Sequence, residues 1–249
     1  FQNYIGSKFF TRTLVNTIRL SLMNLVFGFT TPILFALLLN EVRSLRYKKF
    51  VQTVSYLPYF ISMVVVAGMV LSFLEINGLI NNLLGLQGLT PKEYIVYPST
   101  YPWIYTFTNV WKSFGFGSIL YFSTISGIDP ALYESARIDG ANRWQTLWKV
   151  TIPNVMPSIT ICTFLTLTNS FKLFDQNLAL TGGQPYIIQS DGSAIKTTEM
   201  LALNIYNTFY GQNVNSRGTA QAKAVLFFLL VAAIGLIQLR ATRKKEVQQ

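Results

Sequence analysis

Five stretches almost free of charge decide what this chain can fold into. Leu20–Asn40 and Phe50–Leu74 hold no Asp, Glu, Lys or Arg. Lys112 is the only charge between Glu93 and Asp129, and Asn154–Phe171 and Ala224–Leu239 are again uncharged. A helix crossing a bilayer core needs roughly 20 mainly apolar residues. A soluble protein with buried core helices would have to repeat such a run five times in 249 residues. Only 12% of the residues are charged, against about 25% in soluble domains. The 19 Phe, 13 Tyr and 4 Trp suit long apolar helices with interfacial aromatics. The expected fold class is therefore all-α, a polytopic membrane helical bundle forming one transmembrane domain over residues 1–249. Its five spans are expected near 14–40, 52–74, 102–125, 157–179 and 219–239. The lone Cys162 sits in an apolar run, has no internal disulfide partner and reads as a small core residue.

Charge placement sets the orientation. NEVRSLRYKK, between the first two spans, carries Arg43, Arg46, Lys48 and Lys49. The segment between the third and fourth carries Arg137, Arg143 and Lys149, and RATRKK after the last carries Arg240, Arg243, Lys244 and Lys245. With five spans these three segments share one side and hold 11 of the 20 basic residues. The positive-inside rule puts that side, with the C-terminus, in the cytoplasm. The same bias accounts for the net charge of +10, so the basic residues give no reason to expect nucleic-acid binding. On the outer side, Lys196–Gly211 has apolar residues at helical spacing, with Thr197 or Thr198 as a candidate cap. It is expected to lie flat on the outer surface, to pack over the bundle, or to be an ordinary loop helix.

Polar residues inside the spans point to a pathway. Arg19, Asn24, Asn109, Lys112, Asn169, Lys172 and Asp175 lie in or near predicted spans. A charge facing lipid is costly, so such groups usually face the protein interior or a wet cavity. Lys172 and Asp175 are three apart and able to pair on one helical face. Trp111, Lys112, Asn169, Lys172 and Asp175 are the candidate pathway residues, with snorkelling at span ends as the competing reading. Gly115 and Gly117 permit close helix approach. In LTGGQP, Gly182 and Gly183 are expected to end the fourth span and Pro185 to stop it resuming. Backbone N–H groups of the glycine pair facing a solute are a second possibility.

The most informative segment is YESARIDGANRWQTLWKVTIPNVMP, Tyr133–Pro157. Asp129 is a good N-cap and Pro130 a good first helical residue. A helix is expected to Ile138, with a turn at Gly140. A second helix, Ala141–Val150, should present Trp144, Leu147 and Trp148 on one face and end at Pro153, with Pro157 opening the next span. No chemistry is visible here. The chain has no histidine, the commonest acid–base group and metal ligand. It has no GxxxxGK[ST] phosphate loop, and Ser135 has no neighbouring base. No catalytic residue, metal site or cofactor is expected, and any nucleotide that drives this chain must be hydrolysed in a partner.

ESARIDGANRWQTLWKVTIP resembles the cytoplasmic signature loop of ATP-binding-cassette importer permeases, written EAA, three residues, G, then a spacer and I–x–L–P. Glu134 stands at the Glu, Ala136 at the second Ala and Gly140 at the Gly, and Ile152–Pro153 closes the motif. Ser135 replaces the first Ala, small for small. YESARIDGA, VSYLPYFIS (Val54–Ser62), NNLLG (Asn81–Gly85) and LTGGQP look like the sugar-importer branch.

The resemblance implies a permease that pairs with a second permease, identical or not, and with two ATPase subunits that bind ATP and Mg2+. An extracytoplasmic solute-binding protein would deliver substrate across the bacterial inner membrane. Residues 127–153 would form the cytoplasmic coupling loop, in which Glu134 pairs with a basic group of the ATPase. Ser135, Ala136, Arg137, Asp139, Gly140, Ala141 and Arg143 are assigned beside it as docking contacts. Relatives often have one more N-terminal span, which would precede Phe1. The branch handles oligosaccharides, and Lys112 and Lys172, if they face the cavity, favour a uronate oligomer such as alginate or aldouronate. Neutral sugars and another small solute, such as an amino acid or a metal, remain open alternatives. Outside the family, a secondary transporter, an exporter or a purely structural membrane subunit remains open; an intramembrane enzyme has no residues to support it.

Overall fold

In the computed structural model, residues 8–97, 99–171, 174–188, 194–211 and 216–243 are described. Ten helices and one small hairpin are formed by these residues. They are α1 (Lys8–Asn40), α2 (Leu45–Phe60), α3 (Met63–Leu74), α4 (Leu79–Gly85), α5 (Tyr101–Ser126) and α6 (Pro130–Ile138). There follow α7 (Arg143–Ser170), α8 (Phe174–Leu180), strands β1 (Tyr186–Ile188) and β2 (Ala194–Lys196), α9 (Leu201–Phe209) and α10 (Ser216–Arg243). Four helical segments are long and apolar enough to cross a membrane: Phe10–Asn40, Met63–Gly85, Arg143–Ser170 and Ser216–Arg240. They leave large apolar side chains exposed along their length, among them Leu22, Leu38, Val64, Ile161, Phe228 and Leu236. Such surfaces suit a protein whose solvent is lipid.

The bundle is organised by α1 and α5, which carry two buried apolar clusters. The first joins Leu20 of α1, Ala67 of α3, Tyr101 and Tyr105 of α5, Leu180 of α8 and Met200. The second joins Ala36 of α1, Tyr121 and Ile125 of α5, Ile128 and Val155 of α7. Leu20 and Ala36 are separated by about 24 Å along a helix rising 1.5 Å per residue. Between the clusters, Asn109 donates to Asn24 Oδ1 at 2.9 Å, and Asn24 in turn donates to the Leu20 carbonyl at 2.9 Å. The two span asparagines thus satisfy each other inside the bundle, as polar groups away from water must.

Several boundaries differ from the sequence-based expectation. Residues 52–74 are not one helix: α2 stops at Phe60, with Ile61 donating to the Pro58 carbonyl, and Ser62 starts α3 by accepting from Val65 N–H. Pro58 lacks the N–H an uninterrupted ladder would use. Residues 157–179 are likewise split, because α7 ends at Ser170 and α8 begins at Phe174. Pro153 does not end a helix and Pro157 does not open one; both lie inside α7. The reason is a wide turn at Leu147–Thr151, where Ile152 N–H reaches back five residues to the Leu147 carbonyl. That wider turn changes the partner geometry at Pro153, which has no N–H to place. Thr197 and Thr198 cap nothing. β2 runs to Lys196, both threonines bond back to Pro185 and Gln184 carbonyls, and α9 starts only at Leu201. The antiparallel β1–β2 pair also qualifies the all-α expectation.

Gly115 marks the tightest crossing. A Cβ there would collide with the backbone carbonyl of Ser55 on α2, while one at Gly117 would meet the Pro32 ring of α1 at 3.5 Å. Backbone cannot move aside as a side-chain tip can. Gly115→Ala is expected to destabilise the bundle by about 1–3 kcal/mol through overpacking, with Gly117→Ala much milder. Thermal unfolding of the two variants in detergent checks the order.

Candidate functional site

The segment from Asp129 to Gln145 is built as a rigid projection. Asp129 Oδ1 accepts from Ala131 N–H at 2.9 Å, and Pro130 supplies a preset first turn. At the other end Gly140 adopts φ +75°. Its N–H bonds the Arg137 carbonyl at 3.0 Å and Ala141 N–H bonds the Ala136 carbonyl at 2.9 Å. That pair of reversed bonds is a Schellman cap, which needs a residue tolerant of left-handed backbone. Two residues on, Asn142 and Gln145 close a reciprocal capping box at 2.9 and 2.8 Å, starting α7. Both ends of the turn between α6 and α7 are therefore fixed by the sequence.

No residue of α6 is buried. Glu134, Ser135, Arg137, Asp139, Gly140 and Arg143 are exposed, and Ala136 and Ala141 are half-buried. Ser135 Oγ donates to the Leu132 carbonyl at 3.1 Å, so its hydroxyl is used within the helix and it presents a small surface. Ile138 is 86% exposed, an apolar tip beside the carboxylates of Glu134 and Asp139. Trp144 and Trp148 are also exposed, at 71% and 63%. The projection is tied down from its inner face. Ile128 joins the second apolar cluster, and Tyr133 packs against that cluster with its hydroxyl 3.2 Å from Thr151 Oγ1. The Lys48 ammonium of α2 lies 4.9 Å from the Phe122 ring centre, close to the root of the projection. Arg143 and Glu41 approach to 3.7 Å on the surface, a pair worth little by itself. The surface offers shape, carboxylates and a small-residue face, and no nucleophile next to a base.

The described pathway candidates make separate contacts. Lys112 donates to the Tyr59 carbonyl at 2.7 Å and lies 5.1 Å from the Tyr59 ring centre. It thus satisfies the carbonyl end of α2, where the helix dipole favours a cation. Trp111 is half-buried, while Asn169 and Asp175 are exposed. Lys172, and with it the expected pairing with Asp175, lies outside the described residues, as do Lys244 and Lys245. Among the described residues no hydrogen bond or ion pair joins Lys112, Asn169 and Asp175. Gly182 and Gly183 adopt φ +59° and +93°, and Gly182 N–H bonds the Asn177 and Leu178 carbonyls as α8 ends. A Cβ at Gly183 would press on Lys196 and Glu199.

A second polar site escaped the sequence reading. Glu199, 6% exposed, accepts from Asn204 at 2.9 Å and Asn207 at 2.6 Å, with Lys196 at 3.6 Å. Lys223 of α10 bonds Asn204 Oδ1 at 2.9 Å and Thr208 Oγ1 at 2.7 Å. Buried Asn177 bonds the Tyr101 hydroxyl, the Thr198 carbonyl and Met200 N–H, and Asn16 of α1 reaches the Thr197 and Glu199 carbonyls. The network locks the segment after β2 onto α1, α5, α8 and α10. Nearby, buried Asn81 pins the α4 loop by donating to the Glu75 and Lys92 carbonyls and accepting from Lys92 N–H. The signal was the TTE run and the marker asparagines, whose partners lie far away in sequence.

With this geometry in hand, comparison with known proteins is direct. The chain belongs to the family of binding-protein-dependent transport system inner membrane components, which covers residues 28–246. It is 40% identical over 146 residues to a probable starch degradation products transport system permease protein of Thermoanaerobacterium thermosulfurigenes, covering 59% of this chain and 46% of the relative. It is 35% identical over 180 residues to a polygalacturonan/rhamnogalacturonan transport system permease protein of Bacillus subtilis, covering 68% and 56%. The matches thus span about half the length of these relatives. A crystal structure of a bacterial ABC transporter involved in the import of the acidic polysaccharide alginate superposes with a TM-score of 0.87 at 35% identity, covering 98% of this chain and 82% of that one.

The Glu199 network generates a stability prediction. Glu199→Ala removes the acceptor of two half-buried amides and the counter-charge of Lys196, and is expected to cost about 1–3 kcal/mol. Lys196→Ala, at the more exposed end of the pair, should cost less. Thermal unfolding in detergent compares the two.

Proposed function

We propose that this chain is a permease subunit of an ATP-driven importer that passes oligosaccharides from a solute-binding protein to the cytoplasm. One observation carries the reading: the doubly capped helix Pro130–Ile138 projects Glu134 into solvent from a segment whose sequence resembles the family's docking loop. Residues 127–153 act as the coupling loop, with the last part already wound into α7. The permease domain fills residues 1–249. It pairs with a second permease, and two ATPase subunits supply ATP and Mg2+ chemistry that this chain leaves to them. Glu134 meets a basic group in the ATPase cleft, and Ser135, Ala136, Arg137, Asp139, Gly140, Ala141 and Arg143 complete the contact.

The bundle crosses the bacterial inner membrane five times, with α5 as the fifth span. Its 26 residues reach about 39 Å, and its polar side chains Thr106, Thr108 and Ser118 are buried within the bundle, away from lipid. The basic residues at Arg43–Lys49 and Arg137–Lys149 support a cytoplasmic position for the coupling loop and the C-terminus. Trp111, Lys112, Asn169, Lys172 and Asp175 remain the pathway candidates. Lys112, held by the Tyr59 carbonyl, adds little electrostatic case for an anionic sugar. Support for a uronate oligomer comes from the likeness to the alginate and polygalacturonan transport proteins. A second reading, neutral oligosaccharides, is favoured by the 40% identity to the starch-product permease.

Three experiments test this. In proteoliposomes holding the assembled transporter, Glu134→Ala should lower transport and transport-coupled ATP hydrolysis at least tenfold with membrane insertion intact; unchanged transport removes the coupling role. Gly140→Val should abolish co-purification of the ATPase, because a β-branched residue resists φ +75°. Stimulation of ATPase activity by uronate oligosaccharides above neutral ones identifies the substrate class, and the reverse order selects the starch-type reading.

A further inference from the structure

We infer that the Tyr133–Thr151 contact is the joint through which movement of α6 enters the α7 span, with Tyr133 and Thr151 as positioning residues. The inference rests on the coupling reading above and assigns it a mechanical path that the docking loop by itself does not supply.

The backbone of α7 is weakened at one place. Within Leu147–Thr151 the helix opens by one residue, and Ile152 N–H bonds the Leu147 carbonyl. The next residue, Pro153, has no N–H to donate. Beside it the Val150 carbonyl accepts from the Asn154 side chain, Nδ2 at 2.8 Å. A helix with a missing donor and a wide turn bends there more readily than in its regular stretches. On one side of this turn lies Arg143–Thr146, continuous with the docking projection through the Asn142–Gln145 box. On the other side Ile152–Ser170 carries Val155 in the second apolar cluster, and its far end meets α1 where Ser21 Oγ donates to the Ser170 carbonyl at 2.9 Å.

Thr151 sits at this soft point and is nearly buried, 6% exposed. Its hydroxyl lies 3.2 Å from that of Tyr133, the one residue of α6 that packs against the second cluster. Apart from half-buried Ala136, a single methyl, the rest of α6 faces solvent. A force on Glu134 or Ile138 therefore reaches the interior through Tyr133. The hydroxyl pair delivers it at the turn where α7 yields, so that Ile152–Ser170 tilts as a unit. A Phe at position 133 would keep the ring against the cluster and lose only the link. Ring packing maintains the fold, and the hydroxyl pair transmits.

The test uses the assembled transporter in proteoliposomes, with Tyr133→Phe, Thr151→Val and the conservative Thr151→Ser. Two readouts are taken: oligosaccharide transported per ATP hydrolysed, and nucleotide-driven distance changes from spin labels at the exposed Ala131 on α6 and Leu165 in the far half of α7. The wild type is expected to shift both labels. Tyr133→Phe and Thr151→Val should keep the ATPase bound and the α6 label responsive, while the α7 label falls still and transport per ATP drops at least fivefold. Thr151→Ser should restore both. Wild-type coupling and α7 movement in Tyr133→Phe and Thr151→Val would overturn the inference while leaving the docking reading intact. A wild-type α6 label that ignores nucleotide would overturn the docking reading and this joint together.

Discussion

Everything in this bundle depends on the packing of α1 against α5. The two helices share an apolar cluster at each end, Leu20 with Tyr101 and Tyr105, and Ala36 with Tyr121 and Ile125. The Asn24–Asn109 bond fixes their register between the clusters. Around this pair the other elements are laid by close contacts. Gly115 lets α2 touch backbone to backbone, and Lys112 closes the end of α2. The second cluster receives Ile128 and Tyr133, so the solvent-facing projection of α6 is rooted in the same interface. The first cluster receives Leu180 and Met200, which connect it to the buried network around Asn177 and Glu199. The two ends of the molecule are therefore mechanically joined by one helix pair.

That arrangement separates stiffness from compliance. α6 is capped at both ends and its exposed face carries few constraints, so it is built as a stiff piece. Compliance is concentrated in three breaks: Ile61–Ser62 between α2 and α3, the wide turn at Leu147–Thr151, and the end of α7 at Ser170. Each coincides with a proline or with a backbone ladder taken over by side chains. A membrane bundle tolerates such breaks only where neighbouring groups satisfy the freed backbone. Lys112 on Tyr59 and Ser21 on Ser170 do so here at helix ends.

Much of this was legible in the sequence. The uncharged runs located α1, α7 and α10, because the cost of a charge in lipid leaves a pattern that needs no knowledge of partners, whereas the run Phe50–Leu74 falls on two helices. Asp129, Pro130 and Gly140 marked both ends of α6, since caps are local chemistry. What was lost depended on distant residues. Pro153 and Pro157 read as breaks, yet the extra residue in the turn before them let the helix continue. Thr197 and Thr198 read as caps, yet carbonyls of Gln184 and Pro185 had a stronger claim on them. Lys112 read equally as cavity lining or as snorkelling, and its bond to a helix end 53 residues away was not legible in either reading. The buried Glu199 was invisible, because its amide partners make it affordable and they are recognised only once α9 is folded.

The central claim is that energy enters this chain at Glu134–Gly140 on the cytoplasmic side. The most direct measurement is cross-linking from that helix. Cys162 is the sole native cysteine and is half-buried, so Ser135→Cys in a Cys162→Ala background gives one exposed thiol. Carrying a short photoreactive group in the assembled transporter, it should cross-link to an ATPase subunit, with a yield that changes when ATP is added. A membrane-impermeant reagent applied outside intact cells should not reach it. Labelling from outside, or the absence of any cross-link to the ATPase, would contradict the account.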